Sequence, residues 1–374
     1  MILSSYFNDF LSEIRLTEKQ RAECRDGHRA LRQKLLDDKD IGNLIVNSFL
    51  QGSYRRSTAV QPQGSGKPDV DVIIVTTIDK EQYTPAQALE YFILFLKREY
   101  PKYRLQGRSI GIELEHIDLD LVITAAPSES ERDVLKSDAA SADQELEEAS
   151  DWRLAKSWHA GGQSLQFQDF TLMEKASKDE EWRASPLYIP DRDAGEWTPT
   201  NPLEQIRWTQ DKNKNTNRHY VNVVKAIKWW RKRACTSIDH PKGYPVEHLV
   251  GDCCPDDITS VAEGVAKMLE TAVDLYAEYA ELKSTPTFPD RGVPEHDVFK
   301  RITGQDFATL YEYIKVAAGT ARKALDAATV KESATLWREL FGDAFPAPPS
   351  SEDSSGGGYT PRAAASVFSE ARFA

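Results

Sequence analysis

Two segments of this chain share a pattern that few folds accommodate. Asp69-Val70-Asp71 opens a run of Val, Ile and Thr from Val70 to Thr77, and Asp118-Leu119-Asp120 lies in a second such run, Ile117 to Thr124, closed by Ala125, Ala126 and Pro127. Runs rich in β-branched residues and bounded by turn formers read as strands. Alternate side chains on a strand share a face, so Asp69 and Asp71 project together while Val70 and Val72 point the other way into a core. Asp118 and Asp120 share a face in the same manner, and spacing alone does not choose which of them joins the first pair. The chain must therefore hold a sheet whose strands gather aspartates on one side.

The surrounding pattern supplies helices and further strands. Phe7, Leu11 and Ile14 recur at helical spacing, and Thr17 with Gln20 forms a capping-box signature for a second helix running toward Asp37. A strand is predicted from Ile45 to Leu50, then the loop QPQGSGKP, which Gly and Pro keep irregular. A helix is predicted over about 85–100 with Leu89, Phe92, Ile93 and Leu96 buried, then short strands over 103–106 and 110–114. Residues 128–210 resist assignment and carry five tryptophans (Trp152, Trp158, Trp182, Trp197, Trp208), read as packing anchors. From His219 on the chain is helical: His219 to Arg233, then about 257–283 with Val261, Val265, Met268, Ala272, Leu275 and Tyr279 inward, then around 307–327 and 331–341. After Phe345 the Pro, Ser and Gly content is that of a flexible tail.

Composition narrows the functional classes. A chain of 374 residues with 40% hydrophobic content has enough apolar material for two cores. It has no run of roughly 18 apolar residues, the length a membrane span needs, and MILSSYFNDF lacks the basic-then-apolar start of a signal peptide, so the expected location is the cytoplasm with no membrane contact. Four cysteines in so long a chain make no disulfide framework, and Cys253 and Cys254 with His240 and His248 match no common zinc spacing. Lys and Arg number 47 against 59 Asp and Glu, a net charge of −12 that disfavours tight nucleic-acid binding. Acids dominate between Glu129 and Asp151, whereas Arg207 to Arg233 holds nine basic residues and one acid, Asp211. A local basic wall in an acidic protein suits a small polyphosphate.

Clustered carboxylates repel one another, and a divalent cation is the usual remedy. Mg²⁺ takes a few carboxylates together with substrate phosphate oxygens, and a pair of such ions can serve the attacking and leaving oxygens of an in-line displacement. Upstream, Gly52 lets backbone approach a phosphate closely, and Ser53 adds a hydroxyl and a backbone N–H. In the helix from His219, Val221, Lys225, Lys228 and Lys232 fall on one face, so Lys225 and Lys228 are expected to face a cleft, with Lys232 on solvated surface.

Together QGSYRRSTAV, PDVDVIIV, HIDLDLVITAAP, HYVNVVKAIKWWRKR and KGYPVEHLV resemble the bacterial cGAS/DncV-like nucleotidyltransferases, the CD-NTases of CBASS antiphage defence, and most of all their clade D. The resemblance implies an α+β fold: a polymerase-β-like nucleotidyltransferase core with a mixed sheet, packed against an oligoadenylate-synthase-like helical lobe. The corresponding divisions are 1–205 for the core with its N-terminal helices, 206–345 for the helical lobe and 346–374 for the tail. It implies synthesis of a cyclic di- or trinucleotide, such as cyclic AMP-AMP-GMP, from ATP and GTP with release of pyrophosphate, the product acting on a downstream effector. A template-free transferase with linear products is the competing activity that the same sheet motif permits.

Carried over position by position, the resemblance makes Asp69, Asp71 and Asp120 the catalytic ligands of two Mg²⁺ ions, with Mn²⁺ as a substitute, and prefers Asp120 over Asp118. Gly52, Ser53 and Lys228 would bind the triphosphate, joined by Lys225 on the strength of the shared helix face, and Tyr244 would stack on the donor base. Relatives often have Ser before this Tyr; here Lys242-Gly243-Tyr244 lacks that hydroxyl, and Lys242 is expected to take over the phosphate contact. Ala374 at the tail's end would be the point joined to targets by an E1–E2-like transferase.

Overall fold

The structure, a computed structural model, describes residues 1–126 and 187–349. Trp152, Trp158, Trp182, the acidic run 129–151 and the tail from residue 350 with Ala374 lie outside the described residues.

Five strands make one sheet in the order β1-β2-β5-β4-β3: β1 (Ile45–Gln51), β2 (Asp69–Thr76), β3 (Tyr103–Leu105), β4 (Ile110–Glu113) and β5 (Asp118–Thr124). Only the central pair, β2 with β5, is parallel; its crossover runs through α4 (Pro85–Glu99) and the β3–β4 hairpin. One face of the sheet is Val70, Val72, Ile74, Leu119, Leu121 and Ile123, packed on α2 (Glu18–Asp37) and α4. The capping box at Thr17 closes the start of α2, with Gln20 N–H donating to Thr17 Oγ1 at 3.2 Å and Thr17 N–H to Gln20 Oε1 at 2.9 Å. In α4 the inward face is Leu89, Phe92, Phe95 and Leu96, so Phe95 takes the place expected for Ile93, which is only half-buried.

On the opposite face the strands change character along their length. Asp69 and Asp71 begin it, but Ile73, Val75 and Val122 further along are buried against Ile189 of the hairpin β6 (Leu187–Asp191) and β7 (Glu196–Thr200). The hairpin explains why the apolar run does not alternate: beyond Asp71 both faces are covered. It also limits the polar patch to the strand heads. Short α3 (Gly52–Arg55) lies between β1 and β2.

The helical lobe comprises α5 (Pro202–Asn215), α6 (Tyr220–Ala234), α7 (Gly243–Cys253), α8 (Val261–Glu281), α9 (Gly304–Asp326) and α10 (Val330–Phe341). Its core includes α1 (Ser4–Ile14) through Phe7, Phe10, Leu11 and Ile14, with Phe7 edge-on to Trp337 at 5.0 Å and Phe10 stacked on Phe341 at 4.4 Å. The first helix, counted with the sheet domain in the sequence reading, thus buries its apolar face in the second lobe. Three aromatics or leucines at helical spacing say that a helix is amphipathic; they do not say which core it joins. In α8 the fully buried face ends at Ala272, and Leu275 and Tyr279, expected inward, are exposed, because the last turns meet the core through Val273 and Tyr276, the latter 5.5 Å from Phe288 and 6.0 Å from Phe307 between ring centroids. Trp197 and Trp208 do act as anchors: Trp197 Nε1 donates to Tyr83 O at 2.8 Å, and Trp208 lies edge-on to Tyr220 under the guanidinium of Arg291. Among the described residues no helix is long and apolar enough to cross a membrane.

Candidate active site

Parallel pairing sets Asp69 opposite Asp118 and Asp71 opposite Asp120. Asp69, Asp71 and Asp120 each offer a carboxylate oxygen, and these oxygens lie within 4.8 Å of one another; no other group of three or more His, Cys, Asp or Glu side chains among the described residues is arranged to hold an ion. Asp118 is not in that group, and its Oδ1 is buried without a partner. Gly52 is what permits the approach from β1. Its φ is +73°, and a Cβ there would stand 1.7 Å from Asp71 Oδ2, so any side chain would collide with the carboxylate.

Burial and mutual repulsion make these acids reluctant to ionise. Asp69 is pushed up to about 8, first by desolvation and then by Asp71, Asp120 and Asp118. Asp71 is raised to about 6 by desolvation and Asp120, with Arg56 and Lys228 opposing. Asp120 is raised by desolvation, against Arg104 and a hydrogen bond from Gln106. An oxygen-only set of converging acids held in this state fits a hard divalent cation, which would supply the missing counter-charge.

The neighbouring wall is built on Glu247 of α7, which is 4% exposed. Its carboxylate accepts from Arg56 Nε at 3.0 Å, Thr58 Oγ1 at 2.8 Å and Lys228 Nζ at 2.5 Å, and Lys228 Nζ also donates to Thr58 O at 3.2 Å. Burial alone would raise Glu247, but Arg56 and Lys228 overcome it and hold the acid down to about 2. Arg56 and Thr58 follow α3 directly, and the N–H groups of Thr58 and Ala59 both donate to Ser53 O. Glu247 therefore ties the turn that carries Gly52-Ser53 to the helical lobe.

This arrangement corrects the picture of lysines lining an open cleft. Lys225 and Lys228 are 5% and 6% exposed, because α6 packs that part of its face against the sheet domain and α7, while Lys232 further along the same face stays exposed. Lys225 lies well below its usual pKa, through desolvation and the nearby Arg15, Lys228 and Arg21. Lys242 is exposed at the N-cap of α7, 3.5 Å from Asp239. A Cβ on Gly243 would come within 3.2 Å of Lys228 Cε, so the absence of a side chain before Tyr244 gives the buried lysine room. Tyr244 donates its hydroxyl to Asp290 at 2.8 Å, and the Arg56 guanidinium sits 4.9 Å over its ring, so one ring face already has a cationic neighbour.

Sequence reasoning passed over Glu247 and Gln106, and set Arg56 aside because the insert GSGK stretches the spacing from Gly52-Ser53 to Asp69. For Glu247 there was a signal: an acid flanked by Val246, Leu249 and Val250 on a helix is an acid in an apolar setting, and such an acid needs buried partners. Arg56 gave none, since its partner is 191 positions away.

Comparisons with known proteins place the chain in a family. Residues 1–133 match a family described as the Second Messenger Oligonucleotide or Dinucleotide Synthetase domain. Over 100% of both chains the protein is 44% identical to a cyclic AMP-AMP-GMP synthase of Enterobacter hormaechei subsp. hoffmannii. It is 42% identical, again over 100% of both, to a probable cyclic AMP-AMP-GMP nucleotide synthase of Salmonella paratyphi B. The solved CD-NTase CdnG of Bradyrhizobium diazoefficiens in complex with GTP superposes with a TM-score of 0.64 over 91% of this chain and 95% of that one; at 12% identity the likeness is one of fold.

Proposed function

This chain belongs to the bacterial cGAS/DncV-like nucleotidyltransferases, the CD-NTases that make second-messenger oligonucleotides in CBASS antiphage defence, and from that membership we propose that it joins two ATP and one GTP into cyclic AMP-AMP-GMP. The observation that carries the chemistry is the convergence of Asp69, Asp71 and Asp120 within 4.8 Å beside a glycine that no other residue can replace. The choice of product follows the two relatives that match end to end.

In this reading Asp69, Asp71 and Asp120 hold a pair of Mg²⁺ ions, for which Mn²⁺ substitutes. When bound, the ions would neutralise charge on the phosphate oxygens. Gly52 keeps the backbone bare beside Asp71, and Ser53 offers its hydroxyl and N–H to the donor triphosphate. Arg56 and Lys228 against Glu247 leave that wall one positive charge in excess (two cations, one anion), the sign a triphosphate requires. Lys225, whose burial and cationic neighbours disfavour its charge, takes up a proton when a triphosphate comes near, Lys242 reaches the phosphates from the exposed end of α7, and Tyr244 offers the ring face away from Arg56 to the donor base. A ribose hydroxyl of the acceptor gives its proton toward Asp120 while its oxygen bonds to the donor α-phosphorus, and the bond to pyrophosphate breaks. Repetition and closure make the ring. Alignment and electrostatics supply the acceleration; no covalent enzyme intermediate is involved. The downstream effector and the conjugation of Ala374 by an E1–E2-like transferase enter this reading through the family resemblance.

The test is product analysis. Purified protein with Mg²⁺, ATP and GTP should release pyrophosphate and form a phosphatase-resistant product with the mass of two AMP and one GMP residues joined in a ring. Phosphatase-sensitive linear products would replace this reading with the template-free transferase.

A further inference from the structure

Asp118 and Asp120 sit on one strand face, yet the structure treats them differently, and the difference lies in the β3–β4 hairpin. Opposite Asp118 on β4 is Glu113, whose carboxylate is paired with Lys67 at 3.1 Å. Opposite Asp120 is Gly111, and opposite Gly111 on β3 is Arg104. The missing side chain at 111 leaves a gap in the sheet face, and Gln106 reaches through it. A Cβ on Gly111 would stand 2.6 Å from Gln106 Nε2 and 3.0 Å from Arg104 Nε.

Gln106 is itself fixed at its other end. Its backbone N–H donates to Ser109 O at 2.9 Å, and Ser109 Oγ donates to its Oε1 at 3.2 Å. The carboxylate settles the orientation of the amide: an aspartate oxygen can only accept, so Nε2 points its hydrogens at Asp120 Oδ1, 2.9 Å away, and Oε1 is left to accept from the Ser109 hydroxyl, which can serve as donor. Serine, glutamine and aspartate thus form a short relay in which each member orients the next.

The chemical character of the donor matters. A lysine or arginine in direct contact with Asp120 would cancel its charge and compete with a cation. A neutral amide fixes rotation of the carboxylate and leaves its charge in place, which is the service that outer-shell partners give to metal ligands. From these contacts the geometry points to Gln106 as the positioning residue of Asp120, with Ser109 as its anchor and Gly111 as the clearance it needs. This assignment rests on the reading of Asp120 as the third metal-binding carboxylate.

Full-length variants assayed for kcat, KM for ATP and Mg²⁺ half-saturation test it. Gln106→Leu should lower kcat on the order of 10- to 100-fold and raise the Mg²⁺ requirement, with KM for ATP little changed. Gln106→Glu sets a carboxylate against Asp120 and restores a donor only when protonated, so the ratio of its activity to that of Gln106→Leu should rise from pH 8 to pH 6. Should Gln106→Leu fail to fold, Gly111→Ala displaces the same amide without removing it and should raise the Mg²⁺ requirement in the same direction. Wild-type kcat and Mg²⁺ dependence in whichever of these two variants folds would overturn the assignment. Asp118→Asn and Asp120→Asn separate the failures. Loss of activity in Asp120→Asn beside an unaffected Gln106→Leu sinks the role of Gln106 alone, whereas an active Asp120→Asn with a dead Asp118→Asn sinks the reading on which it rests.

Discussion

Two clusters of ionisable groups, one at the partly exposed strand heads and one fully buried, stand beside one another in this protein and are built on opposite principles. At the strand heads Asp69, Asp71 and Asp120 are gathered like to like, and burial with repulsion lifts Asp69 to about 8 and Asp71 to about 6. At the lobe junction Glu247 is more deeply buried, yet Arg56 and Lys228 hold it down to about 2. Desolvation opposes the charge in both places; the partners decide the outcome. The first cluster is incomplete without a ligand, whereas the second is complete as folded. In the proposed function the first serves binding, while Glu247 in the second ties the turn carrying Ser53 to the lysine facing it.

If that contrast is right, removing an acid from each cluster should move stability in opposite directions. Asp71→Asn should lower pyrophosphate release by on the order of 10³-fold or more, because charge stabilisation at the phosphate is lost. In EDTA at pH 8 the same variant should melt at a higher temperature than the wild type, since a carboxylate whose ionisation the fold disfavours is gone. A lower melting temperature would mean that the acids are already compensated without metal.

Glu247→Gln is the counterpart. It leaves Arg56 and Lys228 buried without their hydrogen-bonded counter-charge, with Asp71 still acting on them from the strand heads, and breaking one side of such a pair costs about 3–5 kcal/mol. Thermal or urea unfolding should show that loss, with a fall in activity as the lobes lose register. A variant as stable as the wild type would show that Arg56 and Lys228 find other partners and that Glu247 is no clamp.

How much of this was legible beforehand follows from the range of the interactions. Asp69, Asp71, the strands that carry them and the capping box at Thr17 are decided within a few residues, and the sequence pattern marks them. Lys225 and Lys228 were legible as one helix face, but only packing shows that this face is buried. The covering hairpin β6–β7 and helix α5 were not legible among mixed prolines, charges and tryptophans, although the unbroken apolar run after Asp71 already required a cover on that side. Asp118 and Asp120 are alike by period, and both lie in register with an acid of β2; the distinction comes from glycine against glutamate on the next strand, a cross-strand fact. Glu247 binds partners 19 and 191 positions away, beyond any local pattern.

The gentlest way to sharpen the comparison is to leave the sequence intact and vary pH. The folded Asp69 carboxyl keeps its proton up to about 8, whereas the unfolded one loses it near its ordinary 3.8, so between those values the native state binds the extra proton and stability falls as pH rises. Glu247 runs the other way: its ordinary value is 4.5 and its folded value about 2, so its contribution is complete above pH 4.5 and is lost as pH falls toward 2. Metal-free protein should therefore melt progressively earlier from pH 5 to pH 8, and Mg²⁺ should flatten that slope. Because metal binding at Asp69 must expel the proton, Mg²⁺ added at pH 7 to weakly buffered protein should release about one proton per chain, and Asp69→Asn should release almost none. Release that is absent at pH 7, or equal in the two proteins, would mean that Asp69 is ionised before the metal arrives, and the strand heads would then be no more strained than the junction beside them.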